Sequence, residues 1–195
     1  SDEPDYDKPE SWTGLPTINL PTDSPLYQIP NFVGEFETKL ISCPDDCAES
    51  IISTIENAES SIYLSLQYLD LDWWYGWSED SNPWGDSLIV GALERAAERG
   101  ISVRLIINEY YSDESPEVQQ ATNLFNEVWN QTNGYDTAAI MMSGGDRILK
   151  LHNKGMIVDN ETVLIGSMNW GSNSLLQNRE YGLIFNNSEL AEYYL

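Results

Sequence analysis

The sequence predicts an α/β protein in which a mixed β-sheet is flanked by helices on both faces. Short strands rich in Ile, Val, Leu and Tyr alternate with segments of helical periodicity along most of the chain. Such alternation is typical of parallel or mixed sheets, because each helix returns the chain across one face of the sheet. The 195 residues suit one domain with an extension, and a hydrophobic fraction of 41% is sufficient for a sizeable core.

The first half of the predicted domain contains three strands and two helices. Asp45 and Asp46 can cap the first helix, Asp86 opens the second, and Gly100 closes the second as a C-cap. One face of the first helix is apolar, and it comprises Ala48, Ile51, Ile52, Ile55 and Ala58. The predicted strands are 36–42, 62–68 and 101–107.

The second half is predicted to contain four further strands and three helices. A third helix spans 116–129, a fourth follows Trp170, and a terminal helix ends the chain. Asp159 and Asn160 form the turn between two of the strands. The predicted strands are 138–142, 150–158, 162–165 and 181–185.

The first 35 residues differ from the rest of the chain. They contain six prolines and many acidic residues, and they have neither a helical nor a strand period. We therefore expect residues 1–35 to be a proline-rich acidic linker or arm, and residues 36–195 to form the domain. The chain opens abruptly and stops within a predicted helix, so we expect it to be an excised part of a longer protein. The sequence contains no apolar run of roughly 18 residues, so it predicts no membrane-spanning helix.

The net charge is −23, with 32 acidic residues against nine Lys and Arg. Contacts to the phosphates of a nucleic acid need cations, so this balance argues against tight non-specific binding of DNA. A local basic pocket within an acidic shell is still compatible with an anionic substrate. The plainest interpretation of the acidic surface is solubility, for example in a salty environment.

Cys43 and Cys47 are the two cysteines of the chain. A zinc half-site would need further ligands, so the spacing favours a local disulfide or two free thiols, and we expect no metal site. Three Asn-x-Ser/Thr patterns, at Asn130, Asn160 and Asn186, match glycosylation acceptors, although such patterns are short and common. These features lean toward an extracellular or membrane-attached location, and the sequence leaves the compartment unknown.

A tryptophan-rich segment, residues 70–86, interrupts the alternation of strands and helices. It holds four tryptophans among acidic and turn-forming residues. Such rings can stack on bases or lie at a membrane interface. Packing against the core or against a partner is the plainer interpretation, and it is the one we favour.

The single histidine, His152, lies in the segment Leu-His-Asn-Lys-Gly-Met-Ile-Val-Asp. Side chains alternate along a strand, so His152 and Lys154 are expected to point to the same face. A histidine and a lysine together in an apolar strand are costly to bury without a purpose. A nucleophilic imidazole beside a fixed positive charge suits attack on an anionic phosphodiester, because the lysine neutralises the non-bridging oxygens.

Further polar residues follow at the ends of later strands. Ser167 and Asn169 offer a hydroxyl and an amide just before a predicted helix N-terminus, where an anion can bind. Glu180 precedes the last strand and can hold the second ring nitrogen of His152 and fix its tautomer. These three residues are therefore candidates for binding a phosphate and for orienting the nucleophile.

The pattern His152-x-Lys154-x4-Asp159, followed by Gly-Ser-Met-Asn-Trp and by Asn-Arg-Glu, resembles the HKD signature of the phospholipase D superfamily. The earlier segments Ser-Ile-Tyr-Leu-Ser-Leu-Gln-Tyr and Gly-Ile-Ser-Val-Arg-Leu-Ile-Ile-Asn fit as well, so the resemblance covers residues 36–195. The chain is similar in particular to archaeal HKD proteins in which two such halves are joined. The resemblance implies a phospholipase D-like αβα sandwich.

The resemblance also implies a role for each matching residue. His152 would be the nucleophile that forms a phosphohistidine intermediate, and Glu180 would orient it. The phosphate would be bound by Lys154, Ser167 and Asn169. The chemistry requires neither a metal nor a cofactor.

Two positions have no implied chemical role. Asp159 matches the acid of the motif, for which the resemblance implies a structural role. The family commonly has Asp at the end of the strand where this chain has Asn108, which leaves the role of that position open.

The family mechanism uses two histidines, one as nucleophile and one as general acid, and this chain has one. The resemblance therefore implies a second HKD half, supplied by an identical copy or by a downstream domain of a longer chain. We expect a phosphodiesterase that is active only when so paired, with a phospholipid or a nucleic acid as substrate. The alternatives are an HKD nuclease specifically, a non-catalytic half used for binding or dimerisation, and a small-molecule-binding protein.

Overall fold

The computed structural model describes residues 36–71, 87–109, 116–142 and 150–195. The predicted arm and most of the tryptophan-rich segment, residues 72–86, lie outside this part of the chain. The strands are β1 (Glu37–Cys43), β2 (Ser61–Leu66), β3 (Ser102–Asn108), β4 (Thr137–Met142), β5 (Lys154–Val158), β6 (Thr162–Gly166) and β7 (Glu180–Asn186). The helices are α1 (Cys47–Glu56), α2 (Leu88–Glu98), α3 (Pro116–Asn123), a π-helix (Leu124–Thr132), α4 (Ser172–Leu176) and α5 (Ser188–Tyr194).

The seven strands form one sheet, in the order β1-β7-β6-β5-β2-β3-β4. β2, β3 and β4 are parallel neighbours, whereas the other neighbouring pairs are antiparallel. The predicted mixed sheet is therefore confirmed. β5 lies beside β2 in the middle of the sheet, with Lys154 opposite Leu66. The segment that leads into β5 consequently lies beside the carboxyl end of β2.

Different helices cover the two faces of the sheet. On one face, Leu64 of β2 belongs to a buried core that includes Ile51 of α1 and Leu93 of α2. On the other face, Ile157 of β5 is buried together with Ala191 of α5. Burial of each large aliphatic side chain contributes about 1.5–3 kcal/mol. The predicted α/β architecture with helices on both faces is confirmed.

α2 shows how local sequence sets the ends of a helix. The Ser87 hydroxyl accepts a hydrogen bond from the Val90 N–H at 3.3 Å, which satisfies one of the unpaired donors of the first turn. The N-cap is thus Ser87, one residue after the predicted Asp86, which lies outside the described residues. Gly100 follows the helix with a φ of 89°, a conformation that favours glycine, as the sequence predicts.

The predicted capping of α1 by acidic side chains is wrong in detail. Asp46 occupies the N-cap position, but its carboxylate accepts a hydrogen bond from the Ser42 N–H at 2.8 Å and caps no helical N–H. The Asp45 carboxylate bonds the Ser42 hydroxyl and Arg179. Both acids therefore bond Ser42, at the turn that precedes the helix.

Cys43 and Cys47 form a disulfide that closes the turn between β1 and α1. Both residues are fully buried. Cys43 lies opposite Glu180 in the β1–β7 ladder, and the Cys47 sulfur lies 3.5 Å from the Leu175 carbonyl oxygen of α4. The disulfide therefore lies beside the first residue of β7, Glu180.

The third predicted helix, 116–129, continues further than its sequence pattern indicates. From Leu124 it winds as a π-helix and ends at Thr132. Its buried side chains include Phe125 and Trp129, whose ring centroids lie 4.7 Å apart. An apolar pattern over three turns does not separate the wider π period from the α period, so the change was not predictable. Neither this helix nor another among the described residues is long and apolar enough to cross a membrane.

Candidate active site

His152 and Lys154 lie where the central strand β5 begins. β5 starts at Lys154, so the predicted strand 150–158 is wrong in its first four residues, and His152 belongs to the segment that leads into the strand. Alternation along a strand therefore does not place His152. The two side chains nevertheless meet, because the Lys154 Nζ lies 3.0 Å from the His152 Nδ1.

Lys154 is a buried lysine whose hydrogen-bond donors all have acceptors. It is 7% exposed. Its Nζ donates to the Gln67 Oε1 at 2.9 Å and to the His152 carbonyl oxygen at 2.7 Å, and the His152 Nδ1 is the third neighbour. An ammonium group has three N–H donors, so these contacts satisfy it completely. This arrangement holds one positive charge beside the imidazole.

Two further residues hold the segment around His152, and sequence reasoning did not assign them to the site. The Gln67 N–H donates to the Asn153 carbonyl oxygen at 3.0 Å. The Asn108 Oδ1 accepts from the Leu151 N–H at 2.9 Å, and Asn108 is fully buried at the end of β3. The signal that could have found them is a polar amide at the carboxyl end of each of two buried strands that neighbour in the sheet.

Ser167 and Glu180 form a second polar pair. The Ser167 hydroxyl donates to the Glu180 carboxylate, and it accepts from the Tyr181 N–H at 3.3 Å. Glu180 is the first residue of β7 and also contributes an attractive charge to Lys154. In this structure the carboxylate predicted to orient His152 is thus hydrogen-bonded to the hydroxyl predicted to bind phosphate.

Asn169 lies just before α4, near Tyr68. Its Oδ1 is buried and has no hydrogen-bond partner among the described residues. Burial raises the pKa of the Tyr68 hydroxyl, the neighbouring Asn169 lowers it by less, and the hydroxyl therefore stays protonated. α4 has only five residues, so the anion-binding argument rests on side chains and not on this helix.

The electrostatics of the site keep His152 neutral. His152 is exposed, but partial desolvation of its ring lowers its pKa, and the positive charges of Lys154 and Lys150 lower it further. Burial also lowers the pKa of Lys154, as does Lys150, while Glu180 raises it. A neutral imidazole is the form that carries a lone pair for nucleophilic attack.

A cavity of about 410 Å³ adjoins the candidate site. His152, Lys154 and Gly155 line it beside the site. Its other walls are mostly apolar and include Tyr63, Ile106, Val163, Ile165, Tyr194 and Leu195. Within the described part of the chain, no cluster of three or more His, Cys, Asp or Glu side chains can hold a metal ion.

The titration of His152 is directly measurable, because it is the only histidine. We expect its ring ¹H–¹³C signal to titrate with a midpoint below the ordinary pKa of 6.5, since burial and two lysines disfavour the imidazolium. Lys154→Met removes the nearest positive charge and should raise the pKa of His152. Lys39→Met, a matched loss of an exposed lysine on β1, should leave it unchanged. A wild-type midpoint above 6.5 would contradict this account.

Asp159, the acid of the motif, lies apart from the other predicted site residues. It follows β5, at the opposite end of the strand from Lys154. Its carboxylate accepts hydrogen bonds from the N–H groups of Glu59, Ser60 and Ser61 at 2.7–2.9 Å, and from the Ser60 hydroxyl. Burial raises the pKa of Asp159, but these hydrogen bonds outweigh it and hold the pKa below its usual value.

Asp159→Asn should destabilise the fold. The turn is unaffected, because Asn also tolerates the φ of 55° found there. The lost charge-assisted hydrogen bonds should lower the free energy of unfolding by about 1–3 kcal/mol at pH 7, as measured by urea denaturation. A depressed folded-state pKa contributes stability above the unfolded pKa, and this contribution is lost as the pH falls through the folded pKa. The difference should therefore shrink below about pH 4.

A neighbouring substitution controls for charge alone. Glu161→Gln removes one negative charge two residues away, from a side chain that is exposed. It should change the free energy of unfolding by less than about 0.5 kcal/mol. Equal effects of the two substitutions would mean that the hydrogen bonds of Asp159 do not stabilise the fold.

Comparison with known proteins identifies the family of the chain. The family described as "Cardiolipin synthase, PLD-like domain" matches residues 51–195. A phospholipase D of Rickettsia felis is 29% identical over 194 residues, which cover 96% of this chain and 82% of that protein. Phospholipase D Y of Dictyostelium discoideum is 32% identical over 136 residues, which cover 68% of this chain and 28% of that protein.

Solved structures show the same fold. The phospholipase D family member Nuc of Salmonella typhimurium has a TM-score of 0.61 at 23% identity, over 82% of this chain and 90% of that one. NucT of Helicobacter pylori has a TM-score of 0.60 at 23% identity, over 82% and 91%. Because the family match covers most of the chain, this protein belongs to the PLD-like domain family of the phospholipase D superfamily.

Proposed function

We propose that this chain is one catalytic half of a phosphodiesterase in which His152 attacks phosphorus. The observation that carries the proposal is the buried ammonium group of Lys154, 3.0 Å from the only imidazole of the chain. The ammonium group is hydrogen-bonded only to neutral groups, so its charge remains available to an anionic substrate. Ser167, Glu180 and Asn169 supply the further polar groups that such a reaction needs.

The contact with a charged Lys154 favours one tautomer of His152. An ammonium group only donates, so the Nδ1 that faces Lys154 carries the lone pair and Nε2 carries the proton. The lone pair that attack requires thus accepts a hydrogen bond from Lys154. In the same way, the Glu180 carboxylate accepts a hydrogen bond from Ser167.

A phosphodiester would exchange these contacts. Its non-bridging oxygens are strong acceptors, so they draw the donors of Lys154 and Ser167 away from His152 and Glu180. The histidine lone pair and the Glu180 carboxylate then become available together. Glu180 can accept the ring N–H and fix the tautomer in which the other nitrogen attacks, as the resemblance to HKD enzymes implies.

The chemical step forms an N–P bond to His152 and breaks the P–O bond to the leaving group. The leaving oxygen takes a proton from a general acid, and water then hydrolyses the phosphohistidine. This chain has no second histidine to serve as that acid. We therefore propose that a second HKD half, from an identical copy or from another domain, completes the site.

The walls of the adjoining cavity bear on the substrate class. They are mostly apolar and begin beside His152, which favours a phosphodiester that carries an apolar group, such as a phospholipid. The net charge of −23 disfavours long stretches of nucleic acid. Rates on phosphatidylcholine vesicles, on single-stranded DNA and on bis(p-nitrophenyl) phosphate would rank the classes.

The test is to trap the covalent intermediate. The full chain is mixed with a ³²P-labelled phosphodiester and quenched, and its oligomeric state is measured by light scattering at several concentrations. The expected result is an acid-labile, alkali-stable phosphoryl group on the single histidine of a dimer, which His152→Ala abolishes. An active dimer without the adduct would exclude the phosphohistidine route. An inactive monomer would identify the chain as one half whose partner is a different domain.

A further inference from the structure

We propose that Gln67 is a positioning residue that holds the Lys154 ammonium group in the phosphate site. The inference rests on the proposed function and adds to it a residue outside the HKD pattern. Gln67 follows β2, and Lys154 begins β5, the strand beside it. The two side chains therefore meet where neighbouring strands of the central sheet approach the site.

Gln67 makes two hydrogen bonds to the residues that follow His152. Its backbone N–H donates to the Asn153 carbonyl oxygen at 3.0 Å, and its side-chain oxygen accepts from the Lys154 Nζ at 2.9 Å. Gln67 is 7% exposed, the same fraction as Lys154. A buried amide of this kind has a well-defined orientation, because each of its polar atoms is costly to leave without a partner.

The chemical identity of Gln67 suits a lysine that must stay charged. Buried ammonium groups need acceptors, and an amide oxygen is an acceptor without charge. A carboxylate at this position would neutralise Lys154 and repel the phosphate. An apolar side chain would leave the ammonium group with an acceptor missing. Glutamine therefore keeps the net positive charge available for an anion.

Gln67 also explains how Lys154 keeps its place when contacts are exchanged. The Nζ makes three contacts, and two of them, to Gln67 and to the His152 carbonyl oxygen, do not involve the reacting imidazole. Only the donor that faces the His152 Nδ1 needs to turn to the phosphate. The other two hold the ammonium group still, so that the charge is in position before the substrate binds.

Two substitutions with opposite expected effects test the proposal. Gln67→Met keeps the volume but removes the acceptor, and should lower the pKa of Lys154. Gln67→Glu keeps an acceptor oxygen and adds a charge, and should raise it. The measurement is a ¹⁵N-lysine NMR titration of the full chain, which has four lysines, with Lys154→Met to assign the signal. A role in packing alone would not move the pKa in opposite directions.

The second measurement is binding of inorganic phosphate by calorimetry. Gln67→Met should weaken it by about tenfold, the effect of one hydrogen bond to a charged group. The matched control is Thr122→Val, which removes a buried hydroxyl bonded within α3. It should leave the pKa of Lys154 unchanged and the affinity for phosphate within twofold of wild type.

The outcomes separate this proposal from the proposed function. If the pKa of Lys154 and the phosphate affinity are the same in Gln67→Met as in Thr122→Val, Gln67 does not position Lys154. If both glutamine variants move the pKa in the same direction, the proposal also fails. If the lysine titration behaves as expected but wild type forms no phosphohistidine with any partner half, the phosphodiesterase proposal fails and the Gln67 assignment stands.

Discussion

His152→Ala is expected to reduce phosphodiester turnover by on the order of 10⁴-fold or more, because it removes the single histidine, the nucleophile of the proposed mechanism. The Lys154 charge and the Ser167 hydroxyl remain, so substrate binding should change much less than the chemical step. The measurement is the rate of release of p-nitrophenol from bis(p-nitrophenyl) phosphate by the assembled enzyme. The effect should appear in kcat, with KM within a few-fold of wild type.

The fold should tolerate this substitution. His152 is exposed and lies outside the regular strands, so Ala at this position leaves no buried cavity. Its thermal midpoint should therefore stay close to that of wild type. Residual activity within tenfold of wild type, in a protein with the same thermal midpoint, would mean that another group attacks phosphorus and that His152 only binds.

The architecture was predictable because it depends on local signals. Strand patterns around Ile62 and Val103 and the helix end at Gly100 are properties of a few neighbouring residues, and each was found within a residue or two of its predicted place. The turn at Asp159 was predictable for the same reason, since Asp and Asn tolerate a positive φ. Such agreement between local preference and global fold is what makes a fold inferable from a single sequence.

The contacts within the site were less predictable, because they join residues that are distant along the chain. Gln67 meets Lys154 across 87 positions, and Asn108 meets Leu151 across 43. No periodicity in one segment indicates such a pairing; it follows only from the order of β5, β2 and β3 in the sheet. The partner of Glu180 was unpredictable for the same reason, since several donors converge at the ends of these strands.

The start of β5 illustrates a different limit. Residues 150–153 were predicted to continue the strand, yet the ladder ends at Lys154. The Leu151 N–H and the Asn153 carbonyl oxygen are instead bonded by Asn108 and by Gln67. Tertiary hydrogen bonds replace the ladder there, and His152 lies exposed just before the first residue of β5.

Lys154→Met is expected to lower kcat/KM by about 10²–10³-fold, the usual effect of removing one group that stabilises charge in a transition state. Met has a similar length, but it offers no positive charge to the phosphate oxygens. The variant also frees the lone pair of His152, so its nucleophile is more available and more basic than in wild type. A large loss of activity despite a more available nucleophile would show that Lys154 assists the reaction by more than it hinders it by bonding the histidine lone pair.

The effect of Lys154→Met on stability should be small, so a change in kcat/KM reflects catalysis and not loss of folded protein. The acceptors on Gln67 and His152 lose their partner, which costs about 1–3 kcal/mol, but the fold no longer buries an ammonium group, which offsets much of that cost. Lys39→Met is the matched control and should keep wild-type kcat/KM, since Lys39 lies exposed on the edge strand β1. Lys154→Arg keeps the charge in a wider, planar group, so partial activity is expected. Wild-type kcat/KM in the Met variant would mean that the phosphate charge is neutralised elsewhere, by the second half.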